Sequence, residues 1–193
     1  FKVVGGEIPG IISGDYSILA EAVDGEHSGE QFEVYYLVDD DGNPYCEDGY
    51  FAILKRAEVQ EYFQNIAQEA DVDIKVIVSL NGNVGEDYTK ETTLSEIEEL
   101  SRDRGIQVFI HGYVRPEMLD EEFEKQVGAL EEKLGNTGFD IKYSVERLLN
   151  NEVFDSINKW SDVERVLPNT LELDEKYNLR YYKNIKAKDA NGE

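Results

Sequence analysis

The chain has 193 residues, 40% hydrophobic and 11% aromatic, with 42 Asp and Glu against 19 Lys and Arg, a formal net charge of −23 at neutral pH. Such a surface repels nucleic-acid backbones and anionic membranes, which are held by clustered Lys and Arg that release counterions; no run of about 18 apolar residues is present to span a bilayer. The length and apolar content are those of a folded domain rather than of a disordered acidic tail. Cys46 is the only cysteine, so no internal disulfide forms and no zinc site with several thiolates. A start at Phe1 rather than Met implies processing, with a signal peptide or lipid anchor removed, or else trimming or missing residues. With its high tyrosine content, this favours a bacterial secreted or cell-envelope protein over a cytoplasmic one.

Gly6, Gly10 and Gly14 read as a loose opening, followed by a β-prone run from Tyr16 to Val23. Phe32 to Val38 is a strand, Asp39 to Pro44 a turn, and Tyr50 to Leu54 the antiparallel return of a hairpin or meander. Val59, Tyr62, Phe63, Ile66, Ala67 and Ala70 recur at three and four residues and predict an amphipathic helix over 57–70. Ile74 to Leu80 is β-branched and nearly all apolar, as in a central strand buried on both faces.

Thr93 and Glu96 form a capping box ahead of Leu94, Ile97 and Leu100, with Gly105 ending that helix. Ile106 to Ile110 is a strand. Pro116 opens an acidic helix whose Leu119, Phe123, Val127, Leu130 and Leu134 face inward and which Gly135 closes. A strand at 141–145, a helix from Val145 to Trp160, and closing strands at 171–173 and 179–185 complete the chain. Helix and strand alternate from about 57 to 145. The predicted fold is therefore α/β (or α+β), with a mixed sheet, an antiparallel N-terminal part and about four helices. One domain spans 1–193, frayed from about 187; a boundary, if present, falls in the loop 81–91 or the Gly-rich opening.

Several patterns carry candidate chemistry. The acidic turn from Asp39 to Asp48 suggests calcium, a hard cation that takes carboxylate and carbonyl oxygens, with Asp39, Asp41 and Asn43 as ligands. It departs from the EF-hand, whose Gly and Glu positions are here Pro44 and Tyr50; turn chemistry alone also accounts for the residues. Asn81-Gly82-Asn83 follows a strand expected to be parallel, where open α/β sheets bind ligands. Asn81, Asn83 and Tyr113 are the ligand-binding candidates. The glycine spacing matches no phosphate loop, and Glu86, Asp87 and Glu91 would repel phosphate.

His111 ends a strand, with Arg115 beyond it. Oriented by Asp87, it would serve as general base while Arg115 held an anionic group, making a small hydrolase-like enzyme; a structural His explains the position as well. No Gly-x-Ser-x-Gly elbow is present, and with His27 the only other histidine, any metal site is carboxylate-dominated. Glu117, Asp120, Glu121, Glu122 and Glu124 suit a helix N-terminus. Joined to Glu96, Glu98, Glu99 and Asp103 they would mimic a line of phosphates. Lys176, Arg180, Lys183, Lys186 and Lys188, interleaved with tyrosines, read as a strand docked on the acidic body rather than a single-strand binder.

The expected function is a non-catalytic binding or interaction module with an unidentified, basic protein partner. The alternative is an enzyme built around His111, and the third reading an acidic nucleic-acid mimic. No cofactor is expected apart from the calcium noted above.

Overall fold

The computed structural model describes residues 1–7, 16–23, 25, 27–85, 87–103, 105–148, 150–166 and 180–186. In chain order the elements are β1 (Lys2–Glu7), β2 (Tyr16–Glu21), β3 (Gln31–Val38), β4 (Pro44–Asp48), α1 (Tyr50–Glu69), β5 (Lys75–Asn81), β6 (Val84–Gly85), α2 (Leu94–Arg102), β7 (Gln107–Val114), α3 (Asp120–Leu134), β8 (Ile141–Arg147), α4 (Asn151–Ser156), α5 (Trp160–Val166) and β9 (Arg180–Ile185). The fold is mixed α/β with an antiparallel five-stranded sheet and a mixed four-stranded one. The chain segregates into two compact units, 1–56 with 80–106 and 57–79 with 107–193. The divisions fall inside α1, inside β5 and just ahead of β7. Among the described residues no helix is long and apolar enough to cross a membrane.

The first unit is built on the sheet ordered β1-β2-β3-β4-β6. β1 lies in the stretch read as a loose opening; it pairs with β2 and absorbs its glycines through an irregularity between Val3 and Gly5. Register sets Ala20 opposite Phe32 and Tyr16 opposite Tyr36, so alternate side chains of β2 and β3 share a face. Ala20 and Phe32 are buried there with Ile53 of α1, and Val34 and Tyr50 pack against them.

The expected return strand at Tyr50 to Leu54 is instead the start of α1. The returning strand is β4, and the Asp48 carboxylate accepts the Tyr50 N–H at 2.8 Å, satisfying a donor that the new helix leaves unpaired. The β-prone composition of Tyr50–Leu54 is overridden because Phe51, Ala52 and Ile53 continue into Val59, Phe63 and Ala67 at helical spacing, all of them buried.

α2 starts as its sequence demands. Thr93 Oγ1 accepts the Glu96 N–H at 3.4 Å while the Glu96 carboxylate accepts the Thr93 N–H at 2.6 Å. That backbone bond, seconded by the Thr93 hydroxyl, holds the Glu96 carboxyl below its ordinary value of 4.5. A depressed carboxyl stabilises the fold above its unfolded pKa, and the contribution is lost as pH falls through the lower folded value. Thr93→Ala should cost about 1 kcal/mol at neutral pH. The variant keeps the backbone N–H that chiefly holds the carboxylate, so most of the gap should persist below pH 4.5, and only the part due to the bond from the Thr93 hydroxyl to the carboxylate should fade; thermal denaturation of both across that range is the measurement.

The second unit carries the sheet ordered β5-β7-β8-β9. β7 and β8 run parallel, β9 antiparallel to β8. Val76 to Leu80 are buried without interruption, as the apolar run predicts. Val108, Ile110 and Gly112 lie in register with Ile141, Tyr143 and Val145 on one buried face. A Cβ on Gly112 would come within 2.9 Å of Ile74 and 3.0 Å of Val145, so packing requires glycine at that point. Phe63 of α1 meets Phe139 with ring centroids 5.2 Å apart.

Two helix expectations are corrected here. Pro116 does not open α3; it sits in a turn closed by the Met118 N–H on the Arg115 carbonyl at 3.2 Å, a position whose fixed φ suits proline. The helix begins at Asp120, Leu119 is 74% exposed, and Phe123, Val127, Leu130 and Leu134 alone form the buried face. The single helix from Val145 to Trp160 is instead the end of β8 followed by α4 and α5. Asn150 caps α4 through the Val153 N–H at 2.8 Å, and Ile157 turns extended at φ −88°, ψ 115°. Leu148, Phe154, Ile157 and Val163 still share one core cluster with Ile77 and Tyr113; burial, not a continuous helix, explains their spacing. The strand expected at 171–173 lies outside the described residues.

Candidate functional site

In the first unit α1 covers only part of the sheet. On the face that buries Ala20 and Phe32, the strands continue outward to Tyr16, Ile18, Tyr36 and Val38, exposed by 51, 39, 43 and 54%. Tyr16 and Tyr36 are cross-strand partners with rings 6.4 Å apart, edge to face. Cys46, also exposed, pairs with Tyr36 on the other side. From the start of β1 to the end of β4 the only Lys or Arg is Lys2. Asp39, Asp40 and Asp41 stand at the turn beside Val38, and Asp48 pairs with Val34. The result is an apolar, tyrosine-bearing patch in a negative field.

Asn81 and Asn83 come together in this unit, on a cleft of about 510 Å³ that Gln31, Glu33, Arg56 and Phe32 also line. Gly82 between them has φ +145°, and a Cβ there would lie 2.3 Å from the Gly105 carbonyl oxygen. The corner is a close crossing of two backbones, which only glycine permits. Nothing in the sequence pattern singles out Gln31, Glu33 or Arg56. They are far apart along the chain and share no motif. Asp87 is exposed in the same unit.

The calcium candidates form a hairpin turn. One Asp39 oxygen accepts the N–H groups of Asp41 at 3.0 Å and Asn43 at 2.7 Å, and the other accepts the Asn43 amide at 3.1 Å. These bonds, the Asn43 N–H first, hold the Asp39 carboxyl below its usual range, and Gly42 takes the left-handed position of the turn at φ +83°. Asp39 thus spends its oxygens on its own loop. Among the described residues no group of three or more His, Cys, Asp or Glu is gathered as a metal would need.

His111, Tyr113 and Arg115 belong to the second unit. His111 lies between two hydroxyls, with Ser144 Oγ 3.3 Å from Nδ1 and Ser79 Oγ 3.5 Å from Nε2, and beside Trp160 at 4.8 Å between ring centroids. Both serines are buried. A hydroxyl donates or accepts, so the pair accommodates either tautomer and tethers the ring. Arg115 directs its fork at α4, donating to Asn151 Oδ1 at 2.8 Å and Asp155 Oδ1 at 2.9 Å, with its guanidinium 4.3 Å from the centre of the Phe154 ring. Tyr113 is buried in the core cluster around Ile77. Lys75, whose ammonium donates to the Phe154 carbonyl, has its pKa pulled down chiefly by burial.

The acidic helix α3 is partly neutralised within its own unit. Asp120 pairs with Arg147 at 2.8 Å, Lys183 of β9 pairs with Glu131 of α3, and Lys186, just after β9, pairs with Asp140 ahead of β8. Lys176 and Lys188 lie outside the described residues. No family model matches the chain, and no curated protein or solved structure proved similar to it.

Proposed function

We propose that this chain is a non-catalytic binding module, and that its partner is a basic polypeptide carrying apolar side chains. The observation that carries the reading is the uncovered half of the first unit's sheet, where Tyr16, Ile18, Tyr36 and Val38 are exposed together among carboxylates. Clustered exposed apolar side chains on a soluble surface mark interaction sites, and tyrosines give large contact area at low entropic cost. Asp39, Asp40, Asp41 and Asp48 would steer a cationic partner and repel a second copy of this acidic chain. In the second unit, the buried serines beside His111 and the engaged fork of Arg115 favour a structural role for that cluster over general-base chemistry.

The test is selection of binders from a displayed peptide library, followed by titration against Tyr36→Lys and Tyr16→Lys variants at two salt concentrations. Selected peptides should be rich in Lys or Arg with aromatic or aliphatic anchors. Their affinity should fall at least about tenfold in either variant, the cost of losing one anchor, and association should slow as salt rises. Binders indifferent to both tyrosines and to salt would overturn the reading.

A further inference from the structure

The cleft of the first unit is a separate feature from the docking face. The side-chain amides of Gln31, Asn81 and Asn83, which line it, make no side-chain hydrogen bond among the described residues. Arg56 gives Nη1 to Glu30 at 3.0 Å, while its buried Nε–H meets no acceptor among those residues. Glu33 accepts the Tyr35 hydroxyl on one oxygen, a bond that first among several causes raises the tyrosine's pKa. The lining therefore includes an acceptor-only carboxylate, a donor-only guanidinium and three amides that do both.

That mixture discriminates among ligands. A phosphate or carboxylate only accepts, so it would leave Glu33 and the amide carbonyls unmet, in a protein of net charge −23. An ammonium only donates and would leave Arg56 unmet. A hydroxyl does both, and adjacent hydroxyls on a ring present donor and acceptor side by side. An extended peptide also offers both, but it enters by pairing with an open strand edge. β3, which supplies Gln31 and Glu33, is already paired by β2 and β4. The half-buried Leu19 adds apolar surface to the lining, against which the C–H face of a sugar ring would rest, and about 510 Å³ is within the range of small-ligand sites.

We propose that this cleft binds a neutral polyhydroxylated ligand of one or two rings, a mono- or disaccharide. The experiment is saturation-transfer NMR on the full chain with glucose, N-acetylglucosamine, maltose, cellobiose and chitobiose, and with triglycine and glycerol phosphate as contrasting probes. At least one saccharide should show transfer, weakened about tenfold or more in Asn83→Leu, as expected when a paired polar group is replaced by an apolar one. Gln31→Leu, on an exposed strand position, gives the same readout should Asn83→Leu fail to fold. The proposal is overturned if no saccharide transfers, if transfer survives both substitutions, or if triglycine or glycerol phosphate binds in their place. None of these outcomes depends on the tyrosine face, so the two readings stand or fall separately.

Discussion

Gly82→Ala is expected to destabilise the first unit by about 4 kcal/mol, a loss in the range reserved for forced backbone conformations and clashes. The residue sits at φ +145°, where an L side chain is strained. Its new methyl would lie 2.3 Å from the carbonyl oxygen of Gly105 and 2.9 Å from Cα of Ile106. Both obstacles are backbone, so no rotamer change relieves them, and the corner between β5 and β6 must open. Gly85→Ala is the matched control. It lies three residues away, in β6, and its added Cβ would meet nothing within 4 Å, so the change there should stay under about 1 kcal/mol. Urea denaturation of the two variants, compared with wild type, reads the difference directly. Equal midpoints for both would mean that the two backbones do not cross closely at this corner.

Phe63→Ala is expected to cost the second unit about 3–5 kcal/mol. Phe63 is fully buried, with Phe139 at 5.2 Å and Tyr62 at 5.0 Å between ring centroids. Removing the ring forfeits its transfer free energy and leaves a cavity that its aromatic neighbours fill only in part, and their edge-to-face contacts go with it. Phe63→Leu should lose far less, about 1–2 kcal/mol, because most of the volume is kept. A Phe63→Ala variant that loses no more than Phe63→Leu would show the site to be loosely packed.

The parts of the fold legible in the sequence are those fixed by short-range chemistry. The capping box at Thr93 and Glu96, the strand from Val76 to Leu80 and the buried face of α3 follow from hydrogen bonds or periodicities that span a few residues. The misread stretches are those where local preference met a longer-range demand. Tyr50 to Leu54 has strand composition, yet its buried side chains belong to a helical stripe that runs on to Ala67. Leu148 to Trp160 has helical spacing, yet Ile157 and Asn158 break it while the cluster stays intact. Pro116 signals a helix start and a turn alike, and the Arg115 to Met118 hydrogen bond selects the turn.

The candidate sites divide the same way. Asn81 and Asn83 were legible because they flank a glycine at the end of a strand, whereas Gln31, Glu33 and Arg56 reach the same cleft from segments with no shared motif. The tyrosine face lay half visible in the alternation Tyr16, Ile18, Ala20 and Phe32, Val34, Tyr36, Val38. What that alternation cannot tell is how far α1 extends across it. Sequence alone determined the charge, the mixed α/β class and the elements whose causes are local, because capping and burial periodicity act within one turn or one strand. The tertiary structure decided where the chain divides into units, which half of the tyrosine face stays bare and which polar groups line the cleft. Those depend on pairing between segments tens of residues apart, and no pattern within either segment encodes its partner.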